Sequence, residues 1–307
     1  MRRERFFCAL AALVAIMAMT VEQSYAATLR YRASGDWTQI TDGATPGWGP
    51  NPVGVGTSLP GAGDDARINF GGNTVQVTST VPTVSRVQIG VDESGILIVQ
   101  NGGNLTANLD ILAGNNNANA TGTLTVNDGG TVNVGRILWA ANDNSNGNIN
   151  INPGGQVNVA SHLWWGVTGT AIANISGTLS QTGGILGLGT SNASTASGGT
   201  ATVNIMSGGL LALNNISGAA GLPSIQAGSV IDITGTGELT LPGDFVGLLN
   251  DYEAAGKITG DGGASDVIID LTKNPGFTTA YLSQIPEPTS ALLLSLGLSG
   301  VLARRRR

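Results

Sequence analysis

The segment 122–132, GTLTVNDGGTV, contains the pattern that decides the fold of this chain. Leu124 and Val126 alternate with polar residues, which is typical of a strand with one buried face. The pair Gly129–Gly130 follows, and glycine permits the positive φ angles of a tight turn. Val132 then lies in a second short strand. The segment therefore predicts strand, glycine turn and strand.

The same pattern recurs on both sides of this segment. Copies occupy 95–105 (GILIVQNGGNL), 147–157 (GNININPGGQV), 171–179 (AIANISGTL) and 200–210 (TATVNIMSGGL). The glycine that ends each turn is at 103, 130, 155, 177 and 209, which gives spacings of 27, 25, 22 and 32 residues. A third apolar patch follows the first four copies, at 111–113, 137–139, 163–165 and 185–186. Three short strands in each repeat indicate a solenoid.

We therefore predict an all-β fold, a right-handed parallel β-helix (β-solenoid) whose coils bury one shared interior. Coils would repeat at about 4.8 Å, the usual spacing of strands in a sheet. Residues 101–152 include 15 asparagines, and equivalent amides in successive coils are expected to form hydrogen-bonded ladders. A glycine-rich antiparallel β-sandwich is the alternative, although a sandwich has no reason to repeat its turn at this spacing.

The N-terminus has the pattern of a secretory signal peptide over residues 1–26. A basic start (Arg2, Arg3 and Arg5) precedes an apolar stretch over 6–19, which is short for a membrane span. Small residues then predict cleavage by signal peptidase between Ala26 and Ala27. A buried core helix is the structural alternative.

The C-terminus ends in a short apolar span between a proline motif and a basic cluster. Pro286, Glu287 and Pro288 precede the apolar residues 291–303, and the chain ends in four arginines: Arg304, Arg305, Arg306 and Arg307. A bilayer-spanning helix needs about 20 residues, so this span is marginal. The arginines favour a cytoplasmic end, and we expect transient membrane insertion.

This tail, residues 286–307, resembles the PEP-CTERM sorting signal of Gram-negative and related bacteria. The resemblance implies processing by an exosortase-like membrane enzyme and a link to the extracellular polysaccharide of biofilm or floc matrix. The body resembles the repetitive bodies of PEP-CTERM proteins and, distantly, autotransporter passengers.

Between the two ends we predict three regions. Residues 27–66 form an N-terminal cap with Trp37 and Trp48, residues 67–241 form the repeats, and residues 242–285 form a C-terminal cap. In the C-terminal cap, apolar residues 245, 248, 249 and 252 follow the i, i+3, i+4, i+7 spacing of one short amphipathic helix.

Charge and cysteine content restrict the partners. Seven of the 14 basic residues and three of the 20 acidic residues lie in the two ends, which leaves a body with 7 basic and 17 acidic residues and a net charge of −10. Such a body repels nucleic acid and disfavours an anionic polysaccharide as a tight ligand. Cys8, in the signal, is the single cysteine, so no thiolate metal site is expected in the body.

Catalytic residues are scarce. His162 is the single histidine, and we expect it to lie at a coil edge rather than to act as a base. Carboxylate pairs keep a β-helix polysaccharide lyase or glycoside hydrolase as the alternative function. A lyase also needs a nearby cation, and residues 90–250 contain one, Arg136. No cofactor is predicted, although Asp64/Asp65 and Asp261/Asp266 are candidate calcium ligands.

Trp139 and Trp165 are the candidate glycan-contact residues. They lie 26 residues apart, about one coil, and are expected to stack on one outer face as a platform for sugar rings. Trp164 would then face inward beside Leu138. In the alternative, all three indoles pack at the corner of the coil.

These features together predict a non-enzymatic structural or adhesive protein, exported to the cell envelope or the extracellular polysaccharide matrix. It would be tethered to the membrane by its tail before processing.

Overall fold

The computed structural model describes residues 27–41, 47–50, 55–191, 198–218 and 223–283. These residues form a β-solenoid of about 7 turns. Three sheets surround one apolar interior. The signal peptide and the sorting tail, with all their predicted residues from Pro286 onward, lie outside the described residues.

Sheet 1 contains β1 (Thr28–Arg32), β3 (Gly47–Pro50), β4 (Asp65–Ile68), β6 (Arg86–Val91), β9 (Ile111–Asn115), β12 (Ile137–Ala140), β15 (His162–Trp165) and β18 (Leu186–Leu188). Sheet 2 contains β2 (Gly35–Asp36), β5 (Asn73–Val77), β7 (Gly95–Val99), β10 (Thr121–Val126), β13 (Asn146–Ile151), β16 (Thr170–Ile175), β19 (Thr200–Ile205), β21 (Val230–Ile233) and β23 (Ile258–Gly260). Sheet 3 contains β8 (Asn104–Ala107), β11 (Thr131–Val134), β14 (Gln156–Val159), β17 (Thr178–Gln181), β20 (Leu210–Ala212), β22 (Glu238–Pro242), β24 (Val267–Asp270) and β25 (Phe277–Leu282). One helix, α1 (Val246–Ala254), and a 3-10 turn (Asp261–Gly263) follow β22 and β23 respectively.

Successive copies of the repeat pair in parallel and in the predicted register. Gly122 of β10 lies opposite Gly95 of β7 and Gly147 of β13. The chain passes from sheet 1 to sheet 2 to sheet 3 in each full coil, as β9, β10 and β11 do. The solenoid prediction is confirmed, and the antiparallel sandwich is excluded because neighbouring copies run in the same direction.

Alternation along each strand builds the interior. In sheet 2 the inward residues Leu97, Leu124, Ile149, Ala173 and Val203 stack in one column. Each is at most 1% exposed. Burying one leucine or isoleucine contributes about 1.5–3 kcal/mol. Stacking therefore supplies the burial that a single coil cannot achieve.

The glycine pair has two separate roles in the turn between sheets 2 and 3. Gly129 has a φ of 68°, which an L-residue adopts only at a cost. A Cβ at Gly130 would lie 2.8 Å from the carbonyl oxygen of Val99 in the preceding coil. The first glycine therefore supplies the turn conformation, and the second allows the neighbouring backbone to approach.

Amide ladders run along the axis, as predicted. In one ladder, Gln100 donates to Gln76 at 3.1 Å, Asn127 to Gln100 at 2.7 Å, and Asn152 to Asn127 at 2.7 Å. In another, Asn174 donates to Asn150 at 2.9 Å and Asn204 to Asn174 at 2.8 Å. These bonds join coils that are distant in sequence without placing a charge on the surface.

Aromatic residues pack at the N-terminal end. Trp37, Trp48 and Tyr31 are fully buried, and the Trp48 Nε1 donates to the Trp37 carbonyl at 2.7 Å. β3 pairs antiparallel with β1, whereas β1 pairs in parallel with β4. Sheet 1 therefore already begins inside the segment expected to form the cap.

The predicted short helix is present at the C-terminal end as α1. Its Leu249 and Tyr252 are buried. The Tyr252 hydroxyl accepts from the Ser224 N–H at 2.9 Å and donates to the Ile216 carbonyl at 3.3 Å. β25 then pairs antiparallel with both β22 and β24, which ends the parallel stacking in sheet 3.

Candidate functional site

The structure corrects the predicted tryptophan platform. Trp139 lies opposite Trp164, and Trp165 lies opposite Ala140. Trp165 is fully buried, so it faces the interior and is not a surface contact. The repeat in sheet 1 is 25 residues between these strands, not 26. In a strand, an error of one residue moves a side chain to the opposite face.

The outer face of sheet 1 instead carries a different aromatic cluster. The indoles of Trp139 and Trp164 meet edge to face, with centroids 4.6 Å apart and an interplanar angle of 84°. The His162 ring lies 4.9 Å from the Trp164 ring. These three partly exposed rings form the aromatic cluster, which is the feature on this face best suited to contact the apolar face of a sugar ring.

Burial lowers the pKa of His162 from its usual 6.5, opposed in part by a backbone hydrogen bond. The Nδ1 atom accepts from the Ile185 N–H at 3.1 Å. A neutral imidazole in this state carries its proton on Nε2 and acts there as a donor. His162 therefore has a fixed tautomer in the cluster, and its Nδ1 is already occupied.

A network of ions lies beside the aromatic cluster, where the chain enters sheet 1. Asp110 is 4% exposed. Its carboxylate accepts from Arg136 through both Nε, at 2.8 Å, and Nη2, and from the Nε of Arg86 at 3.3 Å. Arg86 also lies 3.9 Å from Asp65. Arg136, the cation that a lyase would need, is thus already engaged by a buried carboxylate.

The aromatic cluster belongs to a longer row on the same face, which we call the outer row. Its members face outward between buried neighbours on consecutive paired strands: Arg30, Arg67, Gln88, Leu112, Trp139 and Trp164. Gly187 is next in register after Trp164. The sequence repeats did not reveal this row, because its first members lie before the recognisable copies. The inward residues of sheet 1, such as Leu138 opposite Leu163, are the signal that fixes its register.

The candidate calcium ligands have local roles. Asp64 accepts from the Gly61 N–H at 2.8 Å and from the Ala27 N–H at 3.1 Å. Asp261 accepts from the Ser265 hydroxyl at 2.7 Å. Burial raises the pKa of Asp65, opposed by Arg86 and Arg67. Within the part of the chain that the structure describes, no cluster of three or more acidic, histidine or cysteine residues could hold a metal ion.

Two grooves lie along sheet 3. One, of about 500 Å³, is bordered by Leu210, Glu238 and Phe277, and Phe277 is 44% exposed. The other, of about 290 Å³, is bordered by Asn133 and Asn158. Sequence patterns gave no signal for either groove, because each depends on how separate coils are stacked.

Of the predicted processing residues, the structure describes Ala27, whose N–H donates to Asp64. Ala26, Pro286, Glu287, Pro288 and the four terminal arginines lie outside the described residues. Among the residues that are described, no helix has the length and apolar character needed to cross a bilayer.

Residues 284–307 match the family described as the PEP-CTERM protein-sorting motif. No curated protein and no solved structure matches the chain. The motif implies an exported protein that is sorted through its C-terminus and held by a membrane-anchored tail. It also implies processing by an exosortase-like membrane enzyme.

Proposed function

We propose that this chain is a non-enzymatic structural or adhesive protein of the cell envelope or the extracellular polysaccharide matrix. The observation that carries the proposal is the sorting motif at residues 284–307 attached to a solenoid of about 7 turns. Stacked coils with one continuous core make a stiff body, and stiffness and exposed area are what a matrix component requires.

The outer faces of sheets 2 and 3 support a role in neutral contacts. Every strand from β7 to β20 in these two sheets lacks a charged residue. Their outward residues are largely threonine, asparagine, serine and glutamine, many joined in ladders such as Asn158 to Asn133 at 3.0 Å. Hydroxyl and amide groups in regular rows are suited to the hydroxyl groups of polysaccharides. The net charge of −10 favours this surface over a nucleic-acid surface.

The state of the ionisable groups favours a binding role over the alternative, a β-helix polysaccharide lyase or glycoside hydrolase. Asp110 and Arg136 neutralise each other, and the Nδ1 of His162 accepts a backbone hydrogen bond. A catalytic acid or base needs to reach a substrate proton. These groups are instead directed at their own neighbours.

Delivery follows from the two ends. We propose cleavage between Ala26 and Ala27 by signal peptidase, insertion of the apolar tail, and processing by the exosortase-like enzyme at Pro286–Pro288. Arg304–Arg307 would hold the end of the tail on the cytoplasmic side until then.

Intact-mass analysis and fractionation of the protein from its native host test this proposal. We expect a chain that begins at Ala27, lacks the apolar tail and fractionates with the envelope or the polysaccharide matrix. Replacing Pro286 and Pro288 with alanine should leave an unprocessed chain in the membrane fraction. A full-length chain that remains in the inner membrane of the wild-type host would contradict the proposal.

A screen for release of reducing ends or unsaturated sugars separates the two function classes. We expect no release above that of a heat-inactivated sample. Sugar release that disappears in an Asp→Asn variant of one carboxylate would establish the enzymatic alternative.

A further inference from the structure

Most cations of the body already have partners in the described structure. Arg86 and Arg136 bind Asp110. Lys273 lies 2.9 Å from Glu238, and the Lys257 ammonium donates to the Ile225 carbonyl at 2.7 Å. Arg30 and Arg67 differ from these, since no described carboxylate lies within 4 Å of either guanidinium.

Arg30 and Arg67 are direct neighbours across strands β1 and β4. Both project from the outer face of sheet 1, and their Nε atoms are buried with no hydrogen-bond partner in the described part of the chain. Strands in a sheet are about 4.8 Å apart, and like charges directly opposite each other destabilise a sheet. Two stacked guanidinium groups therefore remain uncompensated in a body whose net charge is negative.

Gln88, the next residue of the outer row, does not neutralise this pair. It lies opposite Arg67, and its Oε1 is buried without a partner. A neutral amide offers one acceptor and no charge. An anion that bridges Arg30 and Arg67 would relieve both the repulsion and the unused donors, because guanidinium groups bind carboxylates through paired, charge-assisted hydrogen bonds.

The outer row continues from this cationic pair to the aromatic cluster. Arg30 and Trp164 are separated by five strand steps, a length of about 24 Å at the usual strand spacing. Cations at one end and indoles at the other thus lie on one straight line parallel to the axis. A single linear ligand can contact both ends at once.

We propose that the outer row binds a linear polysaccharide that carries carboxylates, with uronic acid groups at Arg30 and Arg67 and sugar rings against Trp139 and Trp164. The proposal rests on the matrix role above and names its ligand class. The overall charge of −10 opposes an anionic chain at long range, but screening restricts that repulsion to about 8 Å at physiological salt. The unpaired guanidiniums act within contact distance, so the charge of the row determines which polysaccharide is retained.

The test measures binding of the full, natively processed protein to polygalacturonate, to uncharged dextran and to dextran sulfate. Replacing Arg30 and Arg67 with glutamine should weaken polygalacturonate binding by about tenfold or more, as expected for the loss of charge-assisted hydrogen bonds, and leave dextran binding unchanged. Lys273→Gln is the matched control, because it removes one positive charge from sheet 3 and should change neither affinity. Trp139→Ala should weaken polygalacturonate binding while the charge preference remains.

A second readout guards against misfolding of the variants. Polygalacturonate should raise the unfolding temperature of the wild type and not that of the double arginine variant, since a ligand stabilises the state that it binds. Wild-type affinity in the double variant would overturn the proposal. So would dextran sulfate binding as tightly as polygalacturonate, which would reduce the row to a general anion site. Retention of the double variant in the native matrix leaves the proposed function intact, whereas a wild type absent from that matrix refutes the function itself.

Discussion

Alanine at Gly208 or at Gly209 tests how closely neighbouring coils approach. The two glycines are adjacent in one turn, and they differ in what a new Cβ would meet. At Gly208 the backbone has a φ of +78° and no heavy atom lies within 4 Å of the Cβ position. At Gly209 the φ is outside the left-handed region, but the Cβ would lie 2.0 Å from the carbonyl oxygen of Ile175.

The two costs follow from these environments. Gly208→Ala places alanine in the left-handed region at about 1–2 kcal/mol, offset by about 0.4–1 kcal/mol from the stiffer unfolded chain. We expect a net loss of about 1 kcal/mol. Gly209→Ala must move the Ile175 oxygen from 2.0 Å to at least 3.4 Å, although that oxygen accepts from the Met206 N–H at 2.8 Å. Overpacking and loss of this hydrogen bond together cost about 2–4 kcal/mol.

Urea denaturation followed by circular dichroism measures both variants against the wild type. The free energy of unfolding comes from the midpoint and the slope of each curve. We expect Gly209→Ala to be the more damaging change, even though its backbone conformation suits alanine better. Equal losses, or a larger loss at Gly208, would show that the coils are not packed at the spacing described here.

Three further changes probe the interior, the ladders and the aromatic cluster. Trp165→Ala should destabilise the protein by about 3–5 kcal/mol and Trp139→Ala by about 1 kcal/mol, as measured by urea denaturation; similar losses would contradict their opposite facing. Asn127→Ala removes hydrogen bonds to both neighbouring coils and should cost about 1–2 kcal/mol, so an unchanged midpoint would contradict the ladder. The lowered pKa of His162 means that the unfolded chain binds the proton more readily, so stability is complete above pH 6.5 and decreases as the pH falls below it. Unfolding midpoints at pH 7.5 and pH 5 should differ less in His162→Gln than in the wild type, and an equal difference would refute this assignment.

The fold was predictable because several local signals agree with the global arrangement. Alternation at Leu124 and Val126 defines a strand, and the Gly129–Gly130 pair defines the turn. Their recurrence at coil length then requires stacking. Agreement between local preference and global packing is what allows a sequence to specify one fold.

The site was less predictable because it depends on register to a single residue. Trp164 and Trp165 are adjacent and chemically identical, yet one faces outward and the other is fully buried. Their composition carries no information about this difference. It follows from Leu163 lying opposite Leu138, a pairing that the 25- to 27-residue variation in repeat length obscured.

The outer row shows a second limit. Arg30 and Arg67 are 37 residues apart, and neither lies in a recognisable copy of the repeat. Only their pairing across β1 and β4 brings the two charges together. A cation without a partner is a property of the folded surface, since an acidic composition suggests that every cation finds an acid.

Distances along one outer column of sheet 2 test the central claim, that successive coils stack in parallel and in register. Gln76, Asn174, Asn204 and Asp232 occupy positions one, five, six and seven of this column. Spin labels at Gln76 and at each of the other three should give separations near 19, 24 and 29 Å, which is about 4.8 Å for each coil. A steady increase of this size is the predicted result of pulsed electron–electron distance measurements. Distances that fail to increase from Asn174 to Asp232 would contradict the stacked-coil architecture.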